Sequence, residues 1–558
     1  MPEDQSPAGT PEYLEHGSGG PIPPQPPAQA DVAKERRGHR AWWIGGGVIA
    51  LLGVGAGAWA ALSFFQQGAQ PAEALPSTTV GYVSIDLDPS GGQKIDAFRT
   101  LNKFPAYKDD VGVNSVDDIR RKVGESMLSD VNCPQLSYDH DIAPWLGERA
   151  AAAAVPVDGG KPQLVIVVQV TDEAKARDAF TSLNACDGQE NQVGFVVHDG
   201  WAVLAQSQKT AEDVSDATKD GSLADDATYQ KWTKAVGDPG VVNAYASPEA
   251  GKALGQQLGG LLDGGMFSPS ELGTAQPGTS SSSGYQSSLS VTGADEPLTD
   301  ALSQFKGGAA TVRFTGDGLE VSMAADGTSP QLKDFASATA GELVTRLPAD
   351  TGAAVGVSLS PGWIDRRLGA VSSGLGGMSK EDLYREMSQE TGLDVPADID
   401  TLLGSGFAVS VGKDLDPEAV ENSADGSGIP VAATVKGDPA KIEAVLDKLR
   451  SRAGDLPFLG SDSSGDLEVV GPSEGYRKQV LKGGDLGDDD AFRSVVPDAG
   501  RAGSVIYVNV DAFEPALKKL ASAGSEDDIA NLVPLRAIGL SSWVDDGVTR
   551  FSFKVTTN

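Results

Sequence analysis

Hydrophobic positions along this chain fall into three patterns. The first is continuous: from Ala41 to Phe65 the segment AWWIGGGVIALLGVGAGAWAALSFF carries no ionisable residue. A helix crossing a bilayer core needs about 20 apolar residues, so this stretch predicts a transmembrane helix. Lys34, Arg36, Arg37 and Arg40 stand just before it, and only Glu73 is charged in the stretch just after it. That asymmetry predicts a cytoplasmic N-terminus and an ectodomain beyond residue 66. Trp42, Trp43, Trp59, Phe64 and Phe65 fit anchoring at the two membrane interfaces. The apolar run is too long for the core of a cleaved signal peptide, so the anchor is read as retained. Gly53, Gly57 and Ala61 form a small-residue face spaced by four.

The second pattern has period two. In Val80–Leu87, Gly81, Val83, Ile85 and Leu87 share one face of a predicted strand. TVRFTGDGLEVSMAA (311–325) and LSSWVDDGVTRFSFKV (540–555) read as hairpins, turning at Gly316-Asp317-Gly318 and Asp545-Asp546-Gly547. The third pattern is helical, in stretches that follow a strand and an Asp or Thr, with Thr171 and Asp438 expected as N-caps.

These elements occur twice. VGYVSIDLDP (80–89) recurs as AAVGVSLSP (353–361), and WLGERAAAAAVP (145–156) as LLGSGFAVSVG (402–412). LVIVVQVTDEAKARDAF (164–180) recurs as PVAATVKGDPAKIEAVL (430–446). The predicted fold class is therefore α+β: a single N-terminal transmembrane helix, then an internally duplicated ectodomain of largely antiparallel sheets. Helices are expected to cover the sheets on one side. The predicted divisions are a disordered Pro-rich cytoplasmic tail (1–40), the span (41–65), a linker (66–74) and a first repeat (75–326). A helical connector (327–345) and a second repeat (346–558) follow. Residues 263–299, rich in Ser, Gly and Thr, read as a mobile insertion in the first repeat.

Charge and cysteine content sharpen this picture. The 558 residues carry a formal net charge of -34. Residues 1–40 contribute six acids and four bases, leaving -34 - (-2) = -32 for the rest. Such a surface repels nucleic acid and anionic lipid headgroups and suits solubility, weak divalent cation binding or a basic partner, while an Ala/Gly/Asp-rich, Lys-poor composition is a competing source of the charge. Two cysteines, Cys133 and Cys186, lie beyond the span, where an oxidising compartment permits a disulfide between them. Two free thiols are the alternative.

Candidate chemistry is sparse. No residue set is expected to be catalytic, to bind a cofactor or to hold a metal. His140 and His198 are the two histidines beyond the span, too few for a typical zinc hydrolase. No G-x-S-x-G elbow occurs, and Gly460–Gly465 reads as an acidic loop. Ser303-Gln304-Phe305-Lys306 matches S-x-x-K without its partner motifs. Asp86 and Asp88 form a D-x-D at a strand end, but the second repeat has Ser358 and Ser360 there, which favours capping. Asp225-Asp226 and Asp488-Asp489-Asp490 begin predicted helices, where acids favour the positive dipole end.

The Leu-Pro opening, VSIDLDP with the following GGQKIDAFRTLNKFP, WLGERAAAAAVP and DGWAVLAQS together resemble one actinobacterial family. Its members are single-span membrane proteins with an ectodomain known only as a domain of unknown function, number thirty-three fifty-two. The resemblance runs over about residues 70–558 and implies the topology, with no activity or site residue attached. The expectation is a non-enzymatic, membrane-anchored binding or scaffolding protein of the cell envelope, with envelope proteins as partners. A carrier or sensor of an apolar ligand such as a lipid is the alternative, and a carboxylate-based enzyme using Asp86 and Asp88 the third.

Overall fold

A computed structural model describes residues 70–86, 91–107, 135–158, 160–186, 192–251, 304–327, 335–366, 379–415, 426–453, 457–515 and 530–558, with single positions between them. The tail, the apolar stretch 41–65 with its flanking basic residues, and the insertion 263–299 lie outside the described residues. Among the described residues no helix is long and apolar enough to cross a membrane.

The first eight strands are β1 (Gly81–Asp86), β2 (Leu146–Pro156), β3 (Pro162–Val170), β4 (Gly194–His198), β5 (Trp201–Ala205), β6 (Val242–Ala246), β7 (Gly308–Thr315) and β8 (Gly318–Asp326). The next eight are β9 (Thr351–Ser358), β10 (Gly406–Gly412), β11 (Val431–Lys436), β12 (Ser461–Ser464), β13 (Leu467–Val470), β14 (Ser504–Asn509), β15 (Leu535–Asp545) and β16 (Val548–Thr557). All belong to one sheet, in the order β12-β13-β11-β10-β9-β14-β15-β16-β8-β7-β6-β1-β2-β3-β5-β4. Every neighbouring pair is antiparallel. Read inward from either edge, the order is the same: a hairpin, three further strands in reverse chain order, then three in forward order. The two halves meet where their last strands pair, Gly318 opposite Thr556 through Asp326 opposite Val548.

Helices lie on both faces, not one. Strand alternation makes this visible. Val165 and Val167 of β3 pack with Trp201, Val214 and Trp232. Ile166 and Val168, on the opposite face, pack with Ala176, Phe180 and Leu204. The first side is covered by α3 (Gln208–Thr218) and α4 (Ala227–Ala235), the second by α2 (Glu173–Cys186) and α1 (Gly91–Leu101). The second half repeats the plan. α5 (Thr339–Thr345), α9 (Glu474–Lys482) and α10 (Asp490–Val495) cover one face, while α6 (Lys380–Thr391), α7 (Ala397–Leu403) and α8 (Pro439–Ala453) lie on the other. A one-sided reading failed because β3 has near-continuous apolar character, which is the mark of a strand buried on both faces. α5 falls within 327–345, the stretch read as a connector. Its Leu343 and Val344 are buried in the core of the second half.

Local signals explain the helix starts. Ser207, Asp226, Ser473 and Asp489 each accept a backbone N–H of the first turn, the N-cap bond that satisfies an orphan donor. Asp438 accepts from Ala440 at 3.1 Å, as expected. Thr171 does not cap α2. Its hydroxyl donates to the Trp145 carbonyl, and Asp172 accepts from Lys175 instead.

Gly318 matters at the junction. A Cβ there would sit 1.8 Å from the Val555 carbonyl oxygen. Gly318→Val should therefore destabilise the sheet by about 2 kcal/mol or more, since backbone has to move. Amide exchange checks this: β8 and β16 should lose protection while the amides of β3 keep theirs, and unchanged protection at the junction would refute it.

Candidate functional site

Sequence-nominated groups turn out to be engaged in holding the fold. Asp86 is 4% exposed and sits opposite Arg149 across β1 and β2. Its Oδ2 accepts from Arg149 Nε at 2.8 Å. A buried, paired carboxylate of this kind is costly to break, because removing one partner strands the other charge. Asp88 and Ser303 lie outside the described residues. Lys306 Nζ is 3.8 Å from Asp326. His140 is exposed in the helical turn Tyr138–Ile142, its N–H donating to Ser137. Asp226 and Asp489 act as caps, consistent with the dipole reading.

His198 is the nearest approach to a catalytic constellation. Its Nε2 lies 2.8 Å from Ser215 Oγ, and its Nδ1 lies 3.1 Å from Asp199 Oδ2. The order of exposure is the reverse of what nucleophilic catalysis needs. Ser215, the would-be nucleophile, is 4% exposed within α3, whereas the Asp199 side chain is 92% exposed on a turn. A catalytic triad buries its acid and presents its serine. The contact fastens α3 to the end of β4.

Cys133 and Cys186 are joined in a disulfide, with Cα atoms 5.7 Å apart. The bridge ties the last residue of α2 to the segment preceding Tyr138–Ile142. It closes a loop with a sequence separation of 53. Replacing both cysteines by alanine should cost about 4 kcal/mol through the entropy of the unfolded chain. Urea denaturation measures it, and an unchanged midpoint would show that the bridge contributes nothing.

A denser polar cluster lies at the outer edge of the second half, and sequence reading missed it. The segment Gly460–Gly465, read as a loop, contains strand β12. Polar side chains hid it: Ser-Asp-Ser-Ser has neither β-branched nor aromatic character. Beneath it, Arg450 of α8 donates to Glu443 at 2.6 Å, to Asp447 at 2.9 Å and to Ser461 Oγ at 2.8 Å. Ser461 Oγ donates in turn to Glu443 at 2.7 Å. On the other side of the strand, Arg477 of α9 donates to Asp462 at 2.8 Å. Glu468 of β13 is 3% exposed among these groups. Burial pushes its carboxyl up to about 7, and the charges of Glu443 and Asp462 add to the shift, against the pull of Ser461 and Arg450. Hydrogen bonding to Arg450 holds Glu443 below the ordinary carboxylate range.

The first half shows what this layer replaces. A constant offset of 266 (438 - 172 and 464 - 198) superposes the two α2-type helices and the two edge hairpins. Glu443, Arg450, Ser461 and Glu468 then fall on Arg177, Asn184, Phe195 and Ala202. In the first half Phe195 and Ala202 make the part of this layer beneath the hairpin apolar, with Phe195 against Phe180 at 5.3 Å and Phe180 against Trp145 at 5.0 Å, while Arg177 and Asn184 stay polar. Comparing the repeats at that offset was the signal available in the sequence.

Glu468 titrates with a definite sign. Its folded-state value lies above the unfolded one, so the native state holds the extra proton between about pH 4.5 and 7. Stability therefore falls as pH rises through that window. Glu468→Gln should remove the loss, gaining on the order of 2 kcal/mol at pH 8 and nothing at pH 4. Denaturant midpoints at the two values test it, and a pH-independent difference would refute it.

Residues 44–459 match a family described as protein of unknown function (DUF3352). The match takes in most of the apolar stretch and stops just before β12, short of the extent read from the sequence. No curated protein and no solved structure matches the chain.

Proposed function

The chain belongs to the DUF3352 family, and we propose that it is a membrane-anchored, extracytoplasmic binding or scaffolding protein of the cell envelope that performs no catalysis. The observation carrying this reading is the fate of Asp86, the carboxylate best placed for chemistry: it is sealed in a cross-strand pair with Arg149. The unbroken sheet with helices on both faces supports a platform role. Internal duplication, supported by the mirrored strand order, built that platform from two copies of one unit. The anchor rests on the uncharged stretch 41–65 and the basic residues before it.

Two measurements test this. Alkaline phosphatase, active outside the cytoplasm, should be active when fused after residue 70 and inactive when fused after residue 40. The reverse pattern would overturn the topology. The double variant Asp86→Leu, Arg149→Met removes the pair without stranding a charge. It should fold and leave the cellular phenotype intact, and a folded variant that loses the phenotype would revive the enzymatic reading.

A second reading has its own support. Val355 sits between Val409 and Ile506 on neighbouring strands, in register and on one face. All three are exposed, at 41%, 36% and 39%. Leu540, Phe553 and Val321 continue the row across the junction. Such a face suits an apolar ligand. Native mass spectrometry of the purified protein should then reveal a retained lipid-sized mass, and a bare mass rules against the carrier.

A further inference from the structure

The two edges of the sheet are built differently. In a hairpin with a two-residue turn, alternate residues of the outer strand direct their backbone groups away from the partner strand. On the β4 side those residues are Val193, Phe195 and Val197, and side chains bond each of their outward backbone groups except the Val197 N–H. Asn184 bonds both the N–H and the C=O of Val193 at 2.9 Å. Gln208 bonds the N–H of Phe195 at 3.0 Å and its C=O at 3.1 Å. Arg177 donates to the Val197 carbonyl. An amide can do this because it carries a donor and an acceptor side by side.

At the 266 offset the guards become Arg450, Glu474 and Glu443. Arg450 still caps its carbonyl, that of Leu459, at 2.6 Å. The two glutamates are acceptor-only when ionised and cannot donate to a carbonyl. Their carboxylates bond elsewhere, Glu474 to Lys478 and Glu443 to Arg450 and Ser461. Among the described residues, the outward backbone groups of Ser461 and Ser463 have no hydrogen-bond partner. This edge carries five carboxylates, Glu443, Asp447, Asp462, Asp466 and Glu474, against three bases, Arg450, Arg477 and Lys478, which pair with all of them but Asp466, so the edge keeps a net negative charge.

We propose that the free edge of β12 receives an extended basic segment of a protein partner, which adds to the sheet as a further antiparallel or parallel strand. This rests on the binding-protein reading above and names its partner class. Backbone bonding supplies the attachment and the acidic side chains supply the selection. A second copy of the chain is a poorer occupant. Edge-to-edge pairing would bring Asp462 and its neighbours against their own copies, in molecules of net charge -34.

The test uses the full chain in detergent and a fluorescein-labelled Lys-Thr repeat decapeptide, with a Glu-Thr repeat as control. Anisotropy should show the basic peptide binding at least about tenfold more tightly than the acidic one. Ser463→Pro deletes one outward N–H without touching the ladder to β13 and should weaken binding about tenfold or more. Glu474→Gln restores the amide guard and should do the same, which keeps the test informative if the proline variant does not fold. Equal affinity in wild type and both variants would mean diffuse attraction and overturn the proposal. So would no binding of the basic peptide, or dimerisation that Ser463→Pro abolishes. Failure here with the phosphatase fusions as expected overturns the edge alone, because those fusions test the wider reading independently.

Discussion

The pairing of β8 with β16 is the contact on which the rest of the architecture depends. Without it the chain would be two eight-stranded sheets, each with one more exposed edge. With it, Met323 faces Phe551 and Val321 faces Phe553 across the centre, and the two halves share one hydrogen-bonded surface. Bonds beyond the ladder reinforce it. The N–H of Thr557 donates to Asp317, that of Gly327 to Gly547, and Arg550 reaches the Ala235 carbonyl. Lys554 lies 3.5 Å from Glu320, which Arg313 also holds at 3.0 Å. Terminal strands are suited to this role because each leaves one side of its hairpin free, and burying two such edges against each other removes an aggregation hazard from both.

Once the inner edges are joined, the outer edges must be managed separately, and here the halves have diverged. One keeps an aromatic layer under its edge hairpin and seals the strand with Asn184, Gln208 and Arg177. The other buries Glu468 beside Glu443 and Arg450 and leaves Ser461 and Ser463 unsealed. The difference amounts to a few side chains on a shared backbone plan. It converts a closed edge into an acidic, open one, and gives that corner a carboxyl that titrates near neutrality. Function that distinguishes the halves is to be sought at this corner, together with the exposed row through Val355.

Much of the fold was legible in the sequence, because backbone periodicity and turn chemistry are local. Period-two runs marked β1, β7, β8, β15 and β16, and Asp before helical stretches marked the starts of α4, α8 and α10. What escaped had a tertiary cause. β12 is a strand because β13 offers it a ladder, not because Ser-Asp-Ser-Ser favours one. Asp172 takes the cap from Thr171 because the Thr171 hydroxyl is drawn to the Trp145 carbonyl.

The sequence by itself determined the α+β class, the recurrence of segments such as VGYVSIDLDP and AAVGVSLSP, the net negative charge and the family. These follow from composition and from patterns a few residues long. Only the tertiary structure decided that the repeats form one sheet rather than two, that helices cover both faces, and that His198 meets Ser215 as a fastening. It alone decided which edge is sealed. Each of those depends on groups from nine residues apart at the β4 edge to 240 apart at the junction being brought within hydrogen-bonding distance, and no strand or helix periodicity encodes which backbone edge a side chain will reach.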